Sequence, residues 1–261
     1  MSYEDIIFEK KNGIAWVTIN RPDKLNVFRW QTIDELTAAF QDADQDAAIG
    51  VMVLTGAGDR AFCCGGDIPT MRALDFNSGM LWNKKLLTLS MTMRNAAKPL
   101  IAAVNGYCLG GGNELNAFCD LTIASDRAKF GQAGPRVGAC PMWGATQMLP
   151  RIVGEKKARE MVMLCHQYTA EEAERMGLVN KVVPHEKLYD EVEQWCEELL
   201  DMSPQSLRMA KLNMNFESDM MYPSFTHGGE LLAHVWGSEQ NKEGMAAFIE
   251  KRKPNFRQYR V

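Results

Sequence analysis

Short β-branched and apolar runs, each stopped by a breaker and followed by a stretch with helical spacing, recur through the first half of the chain and restrict it to an α/β architecture. The run Ile14-Ala15-Trp16-Val17-Thr18-Ile19 enters the breaker Asn20-Arg21-Pro22-Asp23 and reads as a strand running into a loop. Trp30, Ile33, Leu36, Phe40 and Ala43 then fall at helical spacing. Val51-Met52-Val53-Leu54-Thr55 gives a short buried strand closed by Gly56-Ala57-Gly58. The alternation returns through residues 99–106, the glycines 110–112 and Leu121-Thr122-Ile123-Ala124, and predicts an α/β domain of repeated β-β-α units.

The last third changes character. Segments 155–165, 170–176, 187–200 and 204–215 are helical in pattern, and few strands remain. Thr169 and Glu172 make a capping box, and Gly177 stands where a helix end favours a left-handed residue. Pro184 and the Ser203-Pro204 pair mark boundaries, which predicts a body over 1–197 and a helical C-terminal region over 198–261. A chain of 261 residues with 46% hydrophobic content can bury a core as one large domain, or one domain with a small appendage.

A formal charge of −4 leaves no concentrated Lys/Arg surface for nucleic acid or an anionic membrane, and neither is expected as a partner. The opening residues lack a signal-peptide core and no later run is apolar enough to cross a bilayer, so a cytoplasmic location is expected. Seven cysteines form an odd set without a C-x-x-C pair and read as small core thiols; a redox-active Cys63-Cys64 pair is the alternative. His166, His185, His227 and His234 lack ligand spacing, and no metal is expected.

Two glycine runs carry chemical information. In Ala61-Phe62-Cys63-Cys64-Gly65-Gly66-Asp67-Ile68, glycines free the backbone for close approach to a ligand. Gly110-Gly111-Gly112-Asn113-Glu114-Leu115 leads into a helix, whose unpaired amides and positive dipole end suit an enolate or a tetrahedral oxyanion. Alone, either run more often marks a tight turn or a close packing point.

Together the ordered motifs resemble the crotonase (enoyl-CoA hydratase/isomerase) family along nearly the whole chain. They include Asn20-Arg21-Pro22-Asp23-Lys24-Leu25-Asn26, the two glycine runs, Cys119-Asp120-Leu121-Thr122-Ile123-Ala124, Phe130-Gly131-Gln132, Gly177-Leu178-Val179-Asn180 and Phe248-x-x-Lys251-Arg252-Lys253-Pro254. The resemblance implies a crotonase fold, a spiral of ββα units over 1–197 carrying a coenzyme A site. It implies that region 198–261 packs homotrimers, which often pair into hexamers. No tightly bound cofactor is expected; coenzyme A enters as the carrier of an acyl-CoA thioester substrate. The amides of Gly66 and Gly111 should form an oxyanion hole for the thioester carbonyl. Lys24, Leu25 and Val27, with Cys64, Gly65, Asp67 and Ile68, should hold the bent coenzyme A, and Lys251 should reach its nucleotide end. Without the motif, Lys24 and Lys251 read as solvated surface charges.

Family hydratases use two glutamates. Glu114 occupies the first position, but Gly134 replaces the second within Phe130-Gly131-Gln132-Ala133-Gly134-Pro135-Arg136. The segment also looks like the naphthoate synthase branch, yet Pro141, Gly144, Glu114 and Trp236 stand where that branch has its own Asp, Tyr, Val and C-terminal Tyr. Retained Glu114 with Gly134 and Pro141 resembles instead the hydrolases that open cyclic oxoacyl-CoA rings during aromatic-acid degradation. Glu114 should then orient or deprotonate water; its alternative is a carboxylate satisfying a helix N-terminus. Tyr107, Cys140, Met142, Trp143 and Trp236 are candidates for the acyl pocket, or simple core, and Arg136 for a substrate oxygen or a structural ion pair. The activity this favours is ring-opening addition of water. Hydration of a cyclic enoyl- or dienoyl-CoA, synthase-like ring closure and a non-catalytic coenzyme A-binding module are the alternatives.

Overall fold

The computed structural model describes residues 3–260. Strands β1 (Ile6–Lys11) and β2 (Ile14–Ile19) form an antiparallel hairpin, and after helix α1 (Trp30–Gln45), β3 (Val51–Gly56) lies parallel to β2. Strand β4 (Ala61–Cys63) then leaves for a second sheet. Helices α2 (Ile68–Arg72) and α3 (Phe76–Asn95) lead to β5 (Leu100–Val104) beside β3, β6 (Tyr107–Leu109) beside β4, and α4 (Gly111–Phe118). The next turn sets β7 (Leu121–Ser125) beside β5 and β8 (Lys129–Gly131) beside β6, followed by α5 (Ala145–Val153) and α6 (Glu155–Leu164). Strand β9 (Gln167–Thr169) pairs antiparallel with β8, and α7 (Ala170–Arg175) connects it to β10 (Lys181–Val183), parallel to β7. Each turn thus adds one strand to a six-stranded sheet, β1-β2-β3-β5-β7-β10, and the next to a four-stranded sheet, β4-β6-β8-β9. This is the expected spiral of ββα units.

Parallel strands covered on both faces read as continuous apolar runs, and β3 is buried at every position. Its side chains alternate. Val51 and Val53 join Ile101 and Ile123 against Val192 and Cys196 of α8 (Leu188–Leu200), while Met52 and Leu54 face the main core with Leu36 and Phe40 of α1. The capping box of Thr169 and Glu172 starts α7, and Gly177 has φ +81° just beyond that helix.

The boundary expected near residue 198 falls inside α8. Beyond it come α9 (Pro204–Asp219), α10 (Tyr222–Val235) and α11 (Glu239–Ile249). Helix α10 and the residue after it contribute Phe225, Leu232 and Trp236 to the main core. Helix α9 instead exposes Met209, Met214 and Phe216, followed by Met220.

The loop after β2 is fixed by one side chain. Buried Asn26 donates through Nδ2 to the Ala57 carbonyl (3.0 Å) and the Ala61 carbonyl (2.7 Å), and its Oδ1 accepts from the Arg21 amide (3.0 Å). The loop then zips onto the segment after β4: Cys64 N–H donates to Leu25, Phe28 N–H to Gly65, and Asp67 N–H to Phe28. Two segments distant in sequence thereby form one ledge.

Candidate active site

The turn between β6 and α4 needs glycine for two separate reasons. Gly110 has φ 56° and ψ −125°, a region open only to a residue without Cβ, and a Cβ on Gly112 would overlap the Cys63 carbonyl. Gly111 begins α4, so its amide has no intrahelical acceptor. On the facing ledge, Gly65 accepts from Phe28 and Asp67 donates to Phe28, which leaves the Gly66 amide between them unused. Among the described residues neither the Gly66 nor the Gly111 amide donates to a protein acceptor. The ledges approach closely: a Cβ on Gly65 would stand 3.0 Å from the Gly111 nitrogen. Both Gly66 and Gly111 border one cavity of ≈480 Å³. Two free amides on one wall are the geometry that stabilises a developing oxyanion.

Glu114 lies one turn into α4, on the face it shares with Gly111, and also borders the cavity. Its Oε1 accepts from the amides of Trp143 (3.1 Å), Gly144 (2.9 Å) and Ala145 (3.0 Å), so it also caps the start of α5. Burial disfavours the anion while the three amides favour it, and burial prevails: the carboxyl pKa rises from 4.5 to about 7. A carboxyl balanced there can both take and return a proton near neutral pH.

Among the described residues the one other acid on this wall is Asp67, which is committed to structure. It caps α2 through the Thr70 amide (3.1 Å) and hydroxyl (2.8 Å) and faces Arg21 at 3.5 Å. Gly134 stands on the wall where a second glutamate would be expected, packed near the Ala139 carbonyl and Pro141. The rest is largely apolar and aromatic. Phe28 stacks with Trp82 (6.0 Å between centroids, 25° between planes) and meets Trp143 edge-on at 5.7 Å. Trp143 is fixed by its Nε1–H donating to the Leu86 carbonyl at 2.7 Å.

Lys24, Leu25 and Val27 meet Cys64, Gly65, Asp67 and Ile68 along one side of this cavity, and Cys140, Trp143 and Trp236 stand on its walls. Four of the candidates stand off this wall. Tyr107 starts β6, where alternation buries Cys108 and turns Tyr107 outward, 42% exposed. Met142 lines a neighbouring cavity between α3 and α10, divided from the first by Leu86, Trp143 and Leu232. Arg136 is exposed, makes no ion pair among the described residues and donates to the Leu164 carbonyl at 3.5 Å. Lys251 is exposed in the turn after α11, its amide bonded to the Phe248 carbonyl, off the cavity wall.

The sequence did not single out Phe28, Trp82, Leu232 or Phe248 as wall residues. Gln132 was visible within a motif, without a role. The adjacent thiols do not support redox reactivity, because burial pushes Cys64 up to about 11 and Cys63 higher still, which keeps both protonated. Among the described residues no three His, Cys, Asp or Glu side chains gather to hold a metal, and no helix is long and apolar enough to cross a membrane.

The family model for enoyl-CoA hydratase/isomerase matches residues 9–259. An enoyl-CoA hydratase from Mycobacterium avium subsp. paratuberculosis K-10 superposes with a TM-score of 0.90 at 27% identity, covering 98% of this chain and 99% of that one. An enoyl-CoA hydratase/isomerase from Xanthobacter autotrophicus Py2 gives 0.88 at 28% identity, with 100% of both chains covered. A protein from Geobacillus kaustophilus HTA426, described as an enoyl-CoA hydratase subunit, is 36% identical with a TM-score of 0.79, covering 97% of this chain and 98% of that one. The chain belongs to the enoyl-CoA hydratase/isomerase family and has the crotonase fold. It is an acyl-CoA enzyme of that family.

Proposed function

We propose that this enzyme opens the ring of a cyclic β-oxoacyl-CoA by adding water across a carbon–carbon bond. The observation that carries the reading is the pairing of two unused amides with one proton carrier, Glu114, whose pKa is raised to about 7, in an aromatic-walled cavity where Gly134 stands in place of a second acid. Coenzyme A lies along the ledge of Lys24, Leu25, Val27, Cys64, Gly65, Asp67 and Ile68, with Lys251 reaching toward its nucleotide end. The thioester oxygen takes the amides of Gly66 and Gly111.

Glu114 removes a proton from water as the water oxygen bonds to the ring ketone carbon. The ring C–C bond then breaks, its electron pair passes to the α-carbon as a thioester enolate, and protonated Glu114 returns the proton there. The ketone carbon leaves as a carboxyl group, so one water is consumed and one proton carrier suffices. Flat aromatic walls at Phe28, Trp82 and Trp143 suit a ring better than a flexible chain.

Mass spectrometry in heavy-oxygen water, over a panel of cyclic β-oxoacyl-, enoyl- and dienoyl-CoA thioesters, tests this. A labelled dicarboxylic mono-CoA product is expected. A labelled hydroxyacyl-CoA would instead establish hydration of a cyclic enoyl-CoA, the second reading, favoured by the hydratases among the similar structures. We further propose a homotrimer or dimer of trimers built on the 198–261 region, supported by the exposed apolar residues of α9. A cytoplasmic location fits cysteines that are all free thiols.

A further inference from the structure

Gln132 is 2% exposed, yet neither its Oε1 nor its Nε2 meets a hydrogen-bonding partner. Buried carboxamides are normally paired, and one left open at both ends is held there against its own desolvation cost. It stands on the wall of the candidate active site. Its place is fixed, because it follows β8 directly and the carbonyl of the preceding Gly131 accepts from Gly110 N–H at 2.9 Å. That bond fastens Gln132 beside the turn that presents the Gly111 amide. Of the other unpaired buried groups among the described residues, Trp236 also borders this cavity. Arg94 and Asn116 border a different cavity, and the Trp236 Nε1 edge packs against α3, 3.1 Å from where a Cβ on Gly79 would stand.

We propose that Gln132 binds a second oxygen of the acyl group: its Nε2–H donates to the β-oxo oxygen while Gly66 and Gly111 hold the thioester oxygen, and its Oε1 accepts from the attacking water. This rests on the ring-opening reading of the same site. When water adds to the ring ketone, the water proton goes to Glu114 and the ketone oxygen gains negative charge, which the Nε2–H stabilises. As the ring C–C bond breaks, the ketone oxygen becomes part of the new carboxyl, and charge passes to the thioester oxygen at the two glycines. A carboxamide neither gains nor loses a proton near neutral pH, so Gln132 binds and orients while Glu114 alone moves the proton. An acyl ring without the oxo group leaves Gln132 unpaired, so the site discriminates against it.

The test measures binding by calorimetry on the Glu114→Gln enzyme, whose turnover should be slowed about 10²–10⁴-fold with binding retained, and on Glu114→Gln/Gln132→Met. The ligands are a cyclic β-oxoacyl-CoA and its counterpart lacking the oxo group. We expect about a tenfold preference for the oxo ligand, equivalent to one net hydrogen bond, lost in the double variant while affinity for the other ligand is kept. The melting temperature of Gln132→Met should equal or exceed the parent's, because an unpaired amide gives way to an apolar chain of similar length. A preference absent at the outset, a preference that survives the substitution, or a fall in melting temperature each overturns the assignment. Product mass from the wild-type enzyme separates the two ideas: ring opening without an oxo preference removes the role of Gln132 alone, and an oxo preference without ring opening removes the reaction alone.

Discussion

Substituting Glu114 by Gln exchanges one carboxylate oxygen for an amide nitrogen and keeps an oxygen for the amides of Trp143, Gly144 and Ala145. The fold and the cap on α5 should survive, so the change isolates ionisation. In the native protein the Glu114 carboxyl is raised from 4.5 to about 7, chiefly by burial. The native state therefore binds this proton more tightly than the unfolded chain. Its contribution to stability is full below about pH 4.5, falls as pH rises, and is lost above about pH 7. Each pH step is equivalent to ~1.4 kcal/mol, so the span amounts to ~3 kcal/mol. The Gln variant cannot titrate, and all other groups are shared. Its unfolding free energy, compared with wild type by urea titration, should therefore improve by ~3 kcal/mol between about pH 4.5 and about pH 8. Parallel pH profiles for the two proteins would refute the reasoning. In kinetics, wild-type kcat/KM should rise through about pH 7 to a plateau, and the variant should lose about 10²–10⁴ in kcat with acyl-CoA binding retained. Turnover within tenfold of wild type would remove Glu114 as the proton carrier.

Gly111→Ala would bring a Cβ within 2.7 Å of Phe28 Cζ, and that ring is fixed between Trp82 and Trp143; kcat/KM should fall by about 10²-fold or more, and steady-state rates near wild type would mean the Gly111 amide is not used. Asn26→Ala removes three hydrogen bonds and leaves the Ala57 and Ala61 carbonyls without that donor. We expect about 3 kcal/mol of destabilisation in urea and a raised KM for acyl-CoA, and a loss under about 1 kcal/mol would show that the loop is held by other means. Phe216→Glu with Met220→Glu puts charge on the exposed apolar residues of α9. Light scattering should then report monomers, and an unchanged oligomer mass would move the interface elsewhere.

The sheets and the glycine turn before α4 were legible because backbone geometry dictates residue type there. Strand β3 opens on the apolar run Val51-Met52-Val53-Leu54 because it is covered on both sides, and the 110–112 run is glycine because Gly110 needs its φ and Gly112 has no room for a Cβ. Helix α3 was not legible, since polar residues interrupt its stripe of Trp82, Leu86, Leu89 and Met93 and its start rests on Asp75 and Ser78 alone. Tyr107 and Met142 misled because each adjoins a residue that faces a more relevant interior: Cys108 turns inward where Tyr107 turns out, and Trp143 meets the cavity that Met142 misses. The rest of the aromatic wall could not be assembled from sequence, as Phe28, Trp82 and Phe248 come from three segments joined only by tertiary packing. The partners of Glu114 were equally hidden, being backbone amides that any residues at 143–145 could supply.

That last contact explains how a single acid can serve the proposed reaction. With burial alone, Glu114 would remain protonated far above neutral pH; with exposure, its carboxylate would be too weak a base. The amides at the start of α5 hold it between these limits, so its acid strength depends on where α5 begins. That position rests on groups outside the reaction: the Trp143 indole bonded to the Leu86 carbonyl, and Phe118 packed under Gly144, where a Cβ would stand 2.6 Å from the ring. The oxyanion amides rest instead on Gly111 and on the ledge pinned by Asn26. Proton transfer and oxyanion stabilisation therefore have separate mechanical supports. Gly144→Ala should displace the pH profile of kcat with little change in acyl-CoA affinity, and Asn26→Ala should do the reverse.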